Sequence, residues 1–235
     1  MPLRNSIKII DLKHQRVNKR VFEKYIKFNG LLIIRNLFEK NDIIEEVKKF
    51  KNKKRNRKKI SGPYFYKKKN FSRFDNKVVK NKYIVHGRQQ YLHTLFTWNK
   101  ENTFREIFKK LIILRNKIYG IKTKKEIFTY KGNKYINVPK ILHYPNKGYL
   151  DKHIDNSPVQ DRNFIVIASK KGQDFKRGGL SYEIKKRYVQ IEKYVQIGDI
   201  ICNDYKIKHG VKKIVTANNQ KGRYSIVLSM HKVKN

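Results

Sequence analysis

The chain has 235 residues and carries 58 Lys and Arg against 18 Asp and Glu, a formal net charge of +40. With 39% hydrophobic residues, 15 Tyr and 13 Phe among them, it is too rich in aromatic and apolar side chains for a disordered polycation, and its length allows a real core. The only cysteine, Cys202, excludes an intrachain disulfide and a multi-cysteine zinc site.

Met1–His14 scatters Arg4, Lys8, Asp11 and Lys13 among its apolar residues, so no h-region of a signal peptide forms. Leu31–Ile34, behind Gly30, reads as a short buried strand. Asn41 or Asp42 caps a predicted helix through Ile43, Ile44, Val47 and Phe50, whose spacing puts the apolar residues on one face. A second helix is predicted from Asn102 or Thr103 through Phe104, Ile107, Phe108, Leu111, Ile112 and Ile118 to Gly120. Between the two helices the chain reads as irregular. No apolar run approaches the ~20 residues of a membrane-spanning helix, and the chain reads as a soluble, cytoplasmic protein.

From about Tyr135 the period changes. Asn137–Tyr144, Phe164–Ala168, Leu180–Ile184, Tyr188–Val195, Asp199–Cys202, Ile207–Val211 and Tyr224–Met230 are short β-branched or aromatic runs separated by Gly- and Asn-containing turns. Many short strands without alternating helices predict a β-sandwich or barrel. The expected organisation is an N-terminal helical and irregular portion, residues 1–134, packed on a β-rich core, residues 135–235, within one structural domain.

The chemistry lies in the β-rich half. His153 and Asp155 stand two apart on an expected strand, so their side chains reach one metal ion from the same face. His209, on a later strand, supplies a third ligand. Two His and one carboxylate on one face of an octahedron leave open positions, the arrangement of non-haem Fe(II) oxygenases. Asp151 shares the same face by strand alternation, as a partner of the ligands or a rival for the carboxylate position. Arg223 and Ser225 stand two apart on the last strand and form a receptor for a carboxylate, because guanidinium binds it bidentately and stays charged when desolvated. His143 and His231 read as structural or rim residues, His86 and His93 have no readable partner spacing, and Cys202 reads as a small buried apolar residue.

In this order, Tyr144-Pro145 followed by Gly148 to Asn156, then Gly178-Gly179-Leu180, Gly198-Asp199, His209-Gly210-Val211 and Arg223-Tyr224-Ser225, the chain resembles the 2-oxoglutarate- and Fe(II)-dependent dioxygenases, in particular prolyl-hydroxylase-like and phytanoyl-CoA-hydroxylase-like members. The resemblance implies a mainly β fold with flanking helices, a double-stranded β-helix (a cupin-like jelly roll). It implies Fe(II) on His153, Asp155 and His209, 2-oxoglutarate with its distal carboxylate on Arg223 and Ser225, and O2 as the second co-substrate. Tyr144 would line the co-substrate pocket. The implied reaction releases succinate and CO2 and hydroxylates a substrate C–H.

The charge points to partners. A field of +40 attracts polyanions, although the Lys-heavy composition also fits an A+T-rich coding sequence. Lys51–Lys59, followed by Lys67, Lys68, Lys69 and Arg73, interleaves with Tyr64, Phe65, Tyr66, Phe71 and Phe74, as a single-stranded nucleic-acid channel does and as a solvated loop does too. The substrate is therefore expected to be anionic. The rival reading is a basic nucleic-acid-binding protein with a non-catalytic jelly roll, or an oxygenase acting on nucleic acid or an associated protein. Against the demethylase version, those enzymes carry a second Arg six residues after the first, where this chain has Ser229.

Overall fold

The computed structural model describes residues 7–26, 30–52, 71–80, 85–94, 104–119, 135–155, 163–218 and 220–232. In chain order the elements are β1 (Ile7–Asp11), α1 (Lys19–Ile26), β2 (Leu31–Arg35), α2 (Lys40–Asn52), β3 (Phe71–Lys80), β4 (Val85–Thr94), α3 (Arg105–Tyr119), β5 (Tyr135–Tyr144), β6 (Tyr149–His153), β7 (Asn163–Ile167), β8 (Arg177–Ile184), β9 (Arg187–Gln190), β10 (Ile200–Asn203), β11 (His209–Val215) and β12 (Arg223–Lys232).

The last eight strands alternate between two half-sheets. β5, β12, β7 and β10 pair side by side in one, and β6, β11, β8 and β9 in the other. This to-and-fro is the double-stranded β-helix. β1 and β2 extend the first half-sheet beyond β10, and β4 joins the halves by pairing with both β5 and β6. No helix among the described residues is long and apolar enough to cross a membrane.

The period-2 pattern divides the core. Phe164 and Val166 of β7, Ile200 and Cys202 of β10, and Tyr224, Ile226 and Leu228 of β12 pack outward against the helices, with Phe22, Ile43, Phe108 and Leu111. Ile165 and Ile167, Ile201 and Val227, on the opposite faces of the same strands, pack between the half-sheets with Tyr144, Leu180, Tyr182 and Val211. β2 contributes to both layers, which explains its uninterrupted Leu-Leu-Ile-Ile run. Phe22 stacks on Phe164 with ring centroids 5.9 Å apart and meets Tyr119 edge-on at 5.8 Å, so α1, α3 and β7 share one aromatic contact.

Several elements differ from the expectation. The segment read as irregular holds β3 and β4, which pair over ten residues. Their sequences mix polar and apolar residues without clean alternation. α1 is only eight residues long and buries just Phe22 and Ile26, too little pattern to read. α3 begins at Arg105, because Phe104 has φ +61° and stands outside the helix as its first carbonyl acceptor, with its own amide donating to Glu46 Oε2 of α2 at 2.6 Å. The predicted cap at Asn102 or Thr103 and the stop at Gly120 lie outside the described residues. The run Tyr188–Val195 is a strand only to Gln190, after which Ile191–Lys193 forms a single 3-10 turn.

Candidate metal centre and anion receptor

β6 and β11 are neighbours, with His209 directly opposite His153. Gly210 permits this approach, since a Cβ there would lie 2.7 Å from the Leu150 carbonyl oxygen. After β6, the Asp155 amide donates to the Tyr205 carbonyl at 3.2 Å, which holds Asp155 beside the entry to β11. The three side chains converge as a result. His153 Nε2 is 3.6 Å from Asp155 Oδ1, His209 Nε2 is 3.7 Å from Asp155 Oδ2, and the two imidazole centroids are 4.5 Å apart.

Each imidazole is oriented from behind. Nδ1 of His153 donates to the Asp151 carbonyl at 2.9 Å and Nδ1 of His209 to the Ile207 carbonyl at 3.0 Å. A carbonyl accepts only, so in the neutral rings the Nε2 lone pairs face Asp155 and each other, the state a metal requires. Burial pushes the His209 pKa down, which keeps that ring neutral. Burial alone would raise the Asp155 carboxyl, but positive charge on His209 and His153, when those rings take up a proton, and on Lys140 outweighs it and holds the pKa at about 2. Asn163 on β7, itself buried, donates to Asp155 Oδ2 at 2.5 Å. Three donors about 2.1 Å from one ion at right angles stand roughly 3 Å apart. The observed spacings reach that with small side-chain adjustments, so this donor set fits an octahedral divalent cation with open positions. These three residues also form the one His, Cys, Asp and Glu cluster with metal-ligand spacing among the described residues.

Asp151 departs from the expectation. The register between β6 and β11 shifts, with Leu150 opposite Val211 but His153 opposite His209. One extra residue on β6 forms a β-bulge that breaks the alternation and places Leu150 and His153 on the same side. The Asp151 side chain is exposed, and its backbone carbonyl accepts from the His153 ring.

Arg223 begins β12 opposite Tyr144 on β5, and Ser225 lies opposite Leu142 and Ile167. Both are buried, on the β12 face that carries Val227 into the layer between the half-sheets. Arg223 Nη1 donates to Ser225 Oγ. Its Nε donates at 2.8 Å to Glu192 Oε1, which also accepts the Leu180 amide at 2.8 Å. The buried arginine thus already has an anion. Glu192 enters from the 3-10 turn, and the Gly178-Gly179-Leu180 run receives it: Gly179 has φ +116°, and a Cβ there would stand 2.4 Å from Glu192 Cγ.

Tyr182 lies between the two groups. It is fully buried, stacks near His209 at 5.6 Å and donates to Asn203 Oδ1 at 3.1 Å. Burial and the Asp155 charge push its phenol well above the ordinary range while Arg223 opposes them, so it feels both the carboxylate of one group and the cation of the other. Tyr144 is buried in the same layer. Ser229 is buried too, and Lys140 Nζ of β5 donates to its Oγ at 3.4 Å, so a cation stands beside that position from the neighbouring strand.

Sequence reasoning missed Asn163, Tyr182 and Glu192. Tyr182 is two residues past Leu180 on an expected interior strand, which is a usable signal. Asn163 and Glu192 carry none. Among the histidines set aside, His143 stacks on Tyr224 at 4.0 Å and its Nε2 donates to the Lys221 carbonyl, while His86 and His93 fall on β4 and His231 on β12. Of the basic stretch, Lys51 lies in the last turn of α2 with Nζ 4.5 Å from the Tyr224 ring, and Phe71, Arg73 and Phe74 open β3. Lys53–Lys69 lie outside the described residues.

No protein-family model matches the chain and no curated protein matches it. Solved structures do match in fold. A putative oxygenase from Shewanella oneidensis is similar at TM-score 0.55 and 14% identity, covering 96% of this chain and 89% of that one. A prolyl hydroxylase from Trichoplax adhaerens, in complex with a hypoxia-inducible-factor peptide, is similar at TM-score 0.53 and 13% identity, covering 88% and 85%. A 2OG-Fe(II) oxygenase family oxidoreductase from Burkholderia pseudomallei is similar at TM-score 0.50 and 11% identity, covering 92% and 93%. The chain has the 2OG-Fe(II) oxygenase fold. Within that fold the clustered His153, Asp155 and His209 side chains come from β6, the residues just after it, and β11, and Arg223 from β12.

Proposed function

We propose that the protein is an Fe(II)- and 2-oxoglutarate-dependent dioxygenase that hydroxylates an unactivated C–H of an anionic substrate. The convergence of His153 Nε2, His209 Nε2 and the Asp155 carboxylate, in a 2OG-Fe(II) oxygenase fold, carries this reading. His153, Asp155 and His209 hold the metal. Once bound, Fe(II) supplies oxygen activation coupled to decarboxylation of 2-oxoglutarate, with succinate and CO2 as products.

The chain's own groups do the rest. The Asp151 and Ile207 carbonyls fix the imidazole tautomers, and Asn163 sets the rotation of the Asp155 carboxylate. Arg223 and Ser225 meet the distal carboxylate of the co-substrate, and Tyr144 and Tyr182 wall the space around it. The N-terminal portion, residues 1–134, shapes the entrance: β4 pairs with Tyr149 and Leu150 on the strand that carries His153. The anionic substrate is supported by the formal net charge of +40, whose field attracts anions.

The test is succinate formation from 2-oxoglutarate with Fe(II) under air, in wild type and His153→Ala. Turnover in the wild type that the substitution abolishes supports the proposal. Folded, iron-loaded wild type that forms no succinate contradicts it.

A further inference from the structure

Resting on that proposed function, we infer that Glu192 sets the selectivity among 2-oxo acids by competing with the co-substrate tail for Arg223. The Arg223–Glu192 pair is closed at 2.8 Å with both side chains about 3% exposed. Glu192 is built into this position: the Leu180 amide binds the same oxygen, and Gly179 leaves room for its Cγ where any other residue would not. The pair is neutral. A tail carboxylate entering beside it brings an uncompensated negative charge into a buried site, whereas an uncharged tail brings none. Ser225 still offers a hydroxyl, but the guanidinium charge that favours a dicarboxylate is already balanced. The protein therefore reads the distal carboxylate less strongly than an arginine with no internal partner does.

Glu192→Gln isolates the charge, because the amide oxygen still accepts from the Leu180 and Arg223 donors. The measurement is anaerobic equilibrium binding of 2-oxoglutarate and of 2-oxopentanoate, which has a methyl in place of the distal carboxylate, to full-length protein loaded with Mn(II). The substitution is expected to raise the preference for 2-oxoglutarate by about tenfold to a hundredfold, the size of one charge-assisted hydrogen bond gained, with 2-oxopentanoate affinity little changed. An unchanged preference overturns the role of Glu192 and leaves the proposed function standing. Failure of both acids to bind either Mn(II)-loaded form overturns the co-substrate reading and the inference together. Glu192→Asp, which keeps the charge on a shorter stem, serves as the packing control. It is expected to shift the preference far less than Gln, and an equal shift would show that loosened packing moves the site, which also overturns the inference. Unchanged Mn(II) affinity in both variants shows that the fold and the metal site are intact.

Discussion

Asn163→Ala probes how far the metal site depends on a residue that does not touch the metal. Asn163 Nδ2 donates to Asp155 Oδ2 at 2.5 Å from β7, across the barrel from the strands that carry the histidines. A hydrogen bond to a charged acceptor contributes about 1.5–3 kcal/mol, and 1.4 kcal/mol is a factor of ten in affinity. Losing it frees the carboxylate to rotate away from His153 and His209, so Fe(II) or Co(II) is expected to bind about 10- to 100-fold more weakly, the range that lost outer-shell partners show. Anaerobic titration with Co(II), followed by its visible ligand-field spectrum, measures this in folded protein. If Asn163→Ala binds Co(II) as tightly as wild type, the carboxylate is not oriented by Asn163.

Two further substitutions test the framework around the site. Gly179→Ala puts a methyl group at φ +116° and 2.4 Å from Glu192 Cγ, so a loss of about 2–3 kcal/mol is expected in denaturant unfolding, and wild-type stability would show that β8 is not tightly closed on Glu192. Phe22→Ala empties a fully buried position between Phe164 and Tyr119 and is expected to cost about 3–5 kcal/mol while unfolding stays a single transition. A separate early transition would show that the N-terminal helices do not share the core of the β-helix.

What could be read from the sequence follows physical lines. The β-rich half was legible because its strands are short β-branched or aromatic runs separated by turn residues, and the His153, Asp155 and His209 cluster was legible because His153 and Asp155 stand next to a turn with His209 and Arg223 in order behind them. β3 and β4 were not, since a strand recognised by its partner needs no apolar period of its own. The displacement of Asp151 comes from a bulge in the pairing with β11, a property of two strands together and not of either alone. Glu192 was invisible for a similar reason: nothing local distinguishes a carboxylate in a 3-10 turn that meets an arginine 31 residues away. Arg223 was read as a receptor for a carboxylate, and in the fold it meets Glu192.

The most direct test of the metal and co-substrate assignment is stepwise anaerobic addition of Fe(II) and then 2-oxoglutarate, watching for the weak visible charge-transfer band of the chelate. Saturable Fe(II) binding and a band that appears only with both additions are expected in the wild type, and neither in His209→Ala. Folded wild type that binds no Fe(II), or a band undiminished in His209→Ala, contradicts the assignment.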